Sequence, residues 1–448
     1  MRRKKQLTAC LLSFALLLGM IPASEVSAAK KVSLSTKKLT VTKGKSKTLK
    51  VKNTTKKVKW KILSGKKYIS LKKKGKVAVS VKGKKKGTAK VQATVGKKKL
   101  TCKVTVKNVK TSKTTTPSGT STPSATPLAN STNAPENDAE ALKNLIAEQK
   151  KQGASSKLSE DIQNSEQYTW ENGRLVGIDW EGVELKGELS TEKFSALTYL
   201  SCYDNQLTNL DVTKNTALTK LGCSNNQLTS LDVTKNTALN RLWCSDNQLT
   251  SLDVTKNTAL TTLYCGDNPL TSLDVTKNTA LTTLYCRDNQ LTSLDVTKNT
   301  ALEWLLCGAN QLSSLDVTKN KELTDLDCCC NQLTSLDVTK NTALTTLECY
   351  YNQLTNLDVT KNTALNRLWC HGNQLSSLDV TKNTALNRLW CSENQLSSLD
   401  VTKNTALTKL ECYDNQLTSL DVTKNTALTY LDCRYNQLSS LDVTKNTE

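Results

Sequence analysis

Trp243, Tyr264 and Tyr285 stand 21 residues apart, and so do Trp369 and Trp390. Arg241, Arg367 and Arg388 each precede a tryptophan by two residues. Tyr203, Tyr350 and Tyr413 fall two positions beyond this aromatic column, on the same period. Exposed Trp, Tyr and Arg are the usual anchors of protein interfaces, and a flat row of rings also suits stacking on sugars. The competing assignment is that neighbouring rings pack only on one another along a ladder. These eleven residues are the candidate ligand-binding set.

Catalysis has little to stand on. The chain contains a single histidine, His371. That excludes repeated nucleophile–histidine pairs and argues against a His-ligated metal. Carboxylates recur in every copy, from Asp211 to Asp442, paired with a lysine row from Lys214 to Lys445. Such repetition offers no unique cleft in which one carboxyl pKa would rise. The Asp-Val-Thr-Lys-Asn stretch also lacks the glycines of calcium-binding β-helix repeats. The expectation is a protein that is not an enzyme and uses no cofactor or metal.

The candidate residues owe their spacing to a 21-residue unit repeated twelve times, from Leu197 to Glu448. Its first half has the spacing Leu-x-x-Leu-x-Cys-x-x-Asn-Gln, its second Leu-Thr-x-Leu-Asp-Val-Thr-Lys-Asn. Leu200 and Cys202 alternate around Ser201, and Leu210 and Val212 around Asp211, which puts the apolar partners inward. Each copy is therefore expected to give one short strand to each of two parallel ladders. A single copy cannot bury its apolar face, so neighbours must stack. At a strand spacing of about 4.8 Å, twelve coils make a rod about 58 Å long. Variation is concentrated at positions 2, 3, 5, 7 and 8 of the unit, around the cysteine. All position-5 side chains, from Ser201 to Asp432, should point outward from the cysteine-bearing strand. The variable positions mark either a binding face or drift after duplication.

With this motif the chain resembles the bacterial leucine-rich-repeat proteins, nearest to their short 21-residue class and internalin-like in broad architecture. The family's asparagine stands in every copy, from Asn205 to Asn436, where such side chains can bond turn backbone and one another. The resemblance implies a recognition solenoid preceded by a capping segment, and residues 138–196 suit that role. There, Ala139 to Gln152 is a helix candidate with Asp138 as N-cap, Leu142, Leu145 and Ile146 on one face and Gly153 as stop. A strand at Arg174–Trp180 follows. The repeats run to Glu448 with no distinct cap. Solenoids normally need one, so further chain or a covering partner is expected there.

Charge divides the sequence. Residues 30–113 hold 31 lysines and no acid; the first 29 residues carry +3 and the whole chain +22, leaving −12 for residues 114–448. Residues 1–29 have the basic start, apolar stretch and small-residue cleavage site of a secretory signal peptide, so the chain is expected to be exported. That apolar stretch is short for a membrane span, and no other segment is long enough. Of the 16 cysteines, twelve hold the same repeat position, from Cys202 to Cys433. About 4.8 Å between neighbouring strands exceeds what a disulfide prefers, so they are expected to be buried free thiols. Cys329 and Cys330 break the pattern and should be exposed.

Residues 30–107 contain short β-type runs at Lys38–Val41, Thr48–Val51, Val58–Ile62, Lys76–Val81, Thr88–Thr94 and Lys99–Val106, punctuated by glycines. Six or seven strands in this length suggest an antiparallel sandwich. The marks Val41-Thr42-Lys43-Gly44, Trp60, Gly75-Lys76-Val77 and Gly87-Thr88-Ala89-Lys90-Val91 resemble the group 2 bacterial Ig-like domains. Residues 108–137, rich in Thr, Ser and Pro, form a tether.

The sequence is thus expected to be mainly β, an N-terminal Ig-like sandwich plus a solenoid of twelve coils. It divides into a signal peptide (1–29), a basic Ig-like domain (30–107), a linker (108–137), a cap (138–196) and leucine-rich repeats (197–448). The expected role is recognition or adhesion at a bacterial surface or after secretion. The solenoid would bind a protein or glycan ligand, and the basic domain an anionic cell-wall polymer or other polyanion. The alternative is a structural wall or matrix component without a specific ligand.

Overall fold

The computed structural model describes residues 33–34, 38–43, 46–52, 56, 58–74, 76–96, 98–107 and 138–446. Residues 1–29 and 108–137, read from the sequence as a signal peptide and a tether, lie outside the described residues.

The basic unit has eight strands, β1 (Ser33–Leu34), β2 (Lys38–Thr42), β3 (Ser46–Lys52), β4 (Lys59–Ser64), β5 (Ile69–Lys74), β6 (Ala78–Gly83), β7 (Gly87–Val95) and β8 (Lys98–Lys107). They make two four-stranded sheets, ordered β1-β3-β6-β5 and β2-β8-β7-β4. Val41, Leu49, Ile69, Val81, Val91 and Val104, drawn from both sheets, share one buried cluster. All pairings are antiparallel except β2 with β8. The sequence reading missed β5, where Ile69 and Leu71 alternate with polar residues but lead into a run of three lysines.

The second unit begins with helix α1 (Asp138–Lys151), which buries Leu142, Leu145 and Ile146 as their spacing requires. Gly153, at φ 97°, ends it. Asp138 is buried, and its Oδ2 accepts hydrogen bonds from Arg174 Nε (2.8 Å) and Leu175 N (2.7 Å). It ties the helix to the sheet start as well as occupying the helix N-terminus. Strands β9 (Tyr168–Glu171) and β10 (Arg174–Asp179) form a hairpin, and β10 pairs in parallel with the first coil.

From there a parallel sheet grows by one three-residue strand per coil, from β12 (Tyr199–Ser201) through β14 (Lys220–Gly222) to β24 (Tyr430–Asp432). Leucines and cysteines of the repeat fill the interior, with Leu221, Cys223, Leu242 and Cys244 at 0% exposure. The twelve ladder cysteines are free, and all are buried except Cys433, which is half-buried. Burial pushes the Cys265 thiol up to about 12.

The expected second ladder forms only once, between β11 (Lys186–Ser190) and β13 (Gln206–Asp211). In later coils this segment is extended without strand pairing. Two side chains hold the turn that follows it in every coil, the first included. Asp232 Oδ1 accepts from Thr234 N (2.9 Å) and Thr234 Oγ1 (2.7 Å), bending the chain at Asp-Val-Thr, as Asp211 does in the first coil. Asn236 Nδ2 then donates to Val212 O and Asn215 O of the preceding coil, both at 2.8 Å. The other asparagine row works likewise. Asn226 Nδ2 donates to Cys202 O and Cys223 O, while its Oδ1 accepts from Leu207 N. These side chains bond backbone across coils, not one another. The near-invariant half of the repeat is accounted for by its own folding.

Candidate binding face

Positions 3 and 5 flank the inward leucine of each strand, so both leave the sheet on the side away from the core. The register sets Trp243 beside Tyr264, Tyr264 beside Tyr285, Tyr285 beside Leu306, and Trp369 beside Trp390. Arg367 lies beside Arg388, and Arg241 beside Thr262. Outward direction does not mean full exposure. Tyr264 and Tyr285 stack with ring centroids 5.5 Å apart, Trp369 and Trp390 at 4.4 Å and 9° from parallel. Trp243, Tyr264, Tyr285 and Trp390 are half-buried, and Trp369 is only 8% exposed. At the same position Ser201, Asp327 and Asp432 are buried too, so outward pointing here comes with cover from neighbours.

Glycines make room for several rings. A Cβ on Gly222 would sit 2.4 Å from the Tyr203 ring, one on Gly266 2.1 Å from Tyr285, and one on Gly372 2.3 Å from Tyr351. Tyr285 Oη donates to Asp267 Oδ2 at 3.2 Å, and Tyr413 Oη to Glu393 Oε1 at 3.1 Å. Position 8 is left-handed in all twelve coils. Asp204, Asp246, Asp267 and Asp288 there have φ of 52° to 54° and Gly372 has 65°, while Ala309, Cys330, Tyr351, Glu393 and Tyr435 hold the same conformation. Asp, Asn and Gly tolerate this left-handed region best.

From coil 7 to coil 9 the face closes over itself. Arg287 crosses coil 6 above Gly308 and pairs with Asp327 two coils away; its Nη1 also approaches Cys329 Sγ at 3.2 Å. Asp327 Oδ1 accepts from Cys329 N at 3.0 Å. Cys329 is therefore fully buried, contrary to the sequence expectation, together with Tyr350 and Trp369. Cys330 is half-buried. His371 stacks on Tyr350 at 4.6 Å and meets Tyr351 and Trp390 edge-on.

The electrostatics of this cluster oppose nucleophilic chemistry. Burial, then Asp327, pushes the Cys329 thiol well up despite Arg287, and burial alone pulls His371 down to about 4. Both are held neutral, an unreactive thiol and an uncharged imidazole. Burial, then Asp327, raises the Glu348 carboxyl to about 8. Among the described residues no group of three His, Cys, Asp or Glu side chains is placed to hold a metal.

The open part of the face lies in coils 3 to 6. Trp304 is 48% exposed, the most exposed tryptophan of the described residues, between Thr283 and Asp325 in register and on the same side as Leu306. Sequence reasoning missed it by following aromatics down positions 5 and 7, although positions 3 and 5 share a face. Arg241 and Arg367 are exposed, whereas Arg388, Tyr203 and Tyr413 are half-buried. Tyr430 and Tyr435 of the last coil are exposed as well.

Solved structures share this architecture. The functional domain of InlJ from Listeria monocytogenes, which includes a cysteine ladder, is 40% identical with a TM-score of 0.56; the match covers 61% of this chain and 66% of that one, just under two thirds. YopM, a leucine-rich effector protein from Yersinia pestis, is 21% identical with a TM-score of 0.51, covering 67% of this chain and 95% of that one. The PEPR1-AtPEP1 structure is 19% identical with a TM-score of 0.53, covering 67% and 52%. These last two show the fold alone. No family profile and no curated protein sequence matches the chain. The fold is a leucine-rich-repeat solenoid.

Proposed function

We propose that this leucine-rich-repeat chain is an exported bacterial recognition protein, secreted or held at the surface. Its solenoid grips a protein partner through Trp243, Tyr264, Tyr285, Trp304 and Leu306, with Arg241 at the rim. The observation that carries this reading is Trp304, a large ring 48% exposed on the sheet face that also carries the half-buried Tyr264 and Tyr285. Solenoids characteristically bind partners over such extended surfaces. The likeness to InlJ supports the bacterial setting. A protein suits the face better than a glycan. Tyr264 and Tyr285 turn their ring faces to each other, so those faces are not open to a sugar.

In this reading residues 1–29 direct export, residues 108–137 form the tether, and residues 138–196 cap the solenoid. Residues 30–107 form an Ig-like domain whose lysines attach to anionic envelope polymers. Among the described residues no helix is long and apolar enough to cross a membrane.

A second reading, a structural component without a specific ligand, is favoured by coils 8 to 10. There Tyr350, Trp369 and Trp390 are used up in packing. Binding of the full chain, with excess free polyphosphate added to occupy the basic domain, to intact and to protease-shaved epithelial and bacterial cells separates the two. Retention that disappears on shaving supports a protein partner. Equal retention on shaved cells, or none on either, favours the structural component.

A further inference from the structure

The outer face of the β2-β8-β7-β4 sheet presents only lysine, threonine and glutamine over its three fully described strands until the end of β4. Lys59 and Lys61 on β4, Lys90 on β7, and Lys99, Lys103 and Lys107 on β8 are all exposed, while Val91, Ala93, Cys102 and Val104 between them are buried. The register sets Lys90 directly opposite Lys103. Thr94 lies between Lys59 and Lys99, and Gln92 between Lys61 and Thr101. Like charges directly across a strand pair are destabilising. No acid occurs in residues 30–113, so nothing within this unit can neutralise the pair.

We infer that this face is the docking surface for a linear phosphodiester polymer without bases. The inference rests on the reading that the basic unit holds an anionic envelope polymer, and adds the face and the chemistry. Three observations select the occupant. The positive charge comes from lysine alone, since residues 30–113 contain no arginine. Lysine acts as a compact point charge that suits a mobile polymer held without fixed geometry, whereas the arginine fork would favour bidentate recognition of one carboxylate or phosphate. The aromatic residues of the unit, Trp60 and Tyr68, pack half-buried against the core, so the face has no platform on which bases or sugars stack. Lys90 and Lys103 stand about 5 Å apart across their strands, Lys59 and Lys61 about 7 Å apart along β4, and the lysines of β8 about 14 Å apart along it. That is far sparser than duplex DNA, with a charge every ~1.7 Å of axis, and suits a flexible chain with one phosphodiester per repeat. Threonines 88, 94, 101 and 105 on the same side supply hydroxyls for the phosphate oxygens.

The test uses the full chain and purified poly(glycerol phosphate), with duplex DNA and hyaluronate as comparison polymers, at about 150 mM salt. Lys61→Gln/Lys90→Gln/Lys103→Gln removes three charges from the face. Lys72→Gln/Lys82→Gln/Lys84→Gln removes three from elsewhere on the unit, giving the same net charge. The expected result is about a tenfold or greater loss for the first variant, with the salt slope reduced by about 2, and little change for the second. Equal losses in both variants would overturn the assignment to this face while leaving polymer attachment standing. Tighter binding of DNA or hyaluronate than of poly(glycerol phosphate) would overturn the assigned chemistry. Binding of none of the three would sink the attachment reading itself.

Discussion

The guanidinium of Arg287 in coil 5 reaches across the whole of coil 6 to the carboxylate of Asp327 in coil 7, and Gly308 is the residue that lets it pass. A Cβ at 308 would lie 2.7 Å from Asp327 Oδ1 and 2.9 Å from both Arg287 Nη1 and Cys329 Sγ. The bridge seals one half of the sheet face and leaves the half around Trp304 open.

Arg287→Ala strands the Asp327 carboxylate, whose side chain is 8% exposed, beside Glu348. Breaking one partner of a buried pair costs about 3–5 kcal/mol. Denaturant titration should show that loss, and Gly308→Ala should also destabilise. Arg287→Lys should recover only part of the stability, because lysine lacks the fork.

Glu348 sets a pH dependence. Its folded carboxyl is raised from 4.5 to about 8, by burial and then by Asp327, against the opposing effect of Arg287 and Arg367. Between those values the folded chain keeps a proton that the unfolded chain has released. Stability therefore falls as pH rises through the window. Unfolding midpoints at about pH 5 and about pH 8.5 should differ less in Glu348→Gln than in the parent, with the variant more stable at the higher pH. An unchanged difference would show that Glu348 does not titrate in this way.

Asn310 makes four backbone bonds. Its Nδ2 donates to Cys286 O, Cys307 O and Gly308 O, and its Oδ1 accepts from Leu291 N. Asn310→Ala leaves Leu291 N buried and unpaired, at about 1–3 kcal/mol, while Cys286 O keeps Asn289 Nδ2, Cys307 O keeps Asn331 Nδ2 and Gly308 O keeps Asp288 N. The adjacent Gln311, exposed, should tolerate alanine within about 0.5 kcal/mol. The contrast is readable in thermal melts of the two variants.

Ala309 holds φ 51° where seven other coils place Asp, Asn or Gly and the remaining four place Cys330, Tyr351, Glu393 and Tyr435. The left-handed conformation costs an ordinary residue about 1–2 kcal/mol, which asparagine partly relieves. Ala309→Asn should raise the unfolding midpoint and Ala309→Val lower it.

The 21-residue period made the solenoid legible, because Leu221, Cys223 and their equivalents have no other way to be covered. The second half misled because Leu-Asp-Val alternates like a strand in every coil, yet it pairs as one only in the first, against β11 of the preceding segment. Cys329 misled for a distant reason. Its cover comes from Arg287, 42 residues earlier, and no local pattern shows that crossing. Trp304 sat one column away from the aromatics being followed, and only the face shared by Trp304 and Leu306 joins the columns.

The most direct test of the central claim is crosslinking from the open half of the face. A photoreactive residue replaces Trp304 in the full chain, or Gln311 on an exposed, near-invariant row, and each protein is illuminated on intact epithelial and bacterial cells. The account predicts a discrete protease-sensitive adduct from position 304, absent from position 311 and diminished by Trp243→Ala/Tyr264→Ala. Identical adducts from both positions, or none from 304 while the chain stays bound to cells, would contradict it.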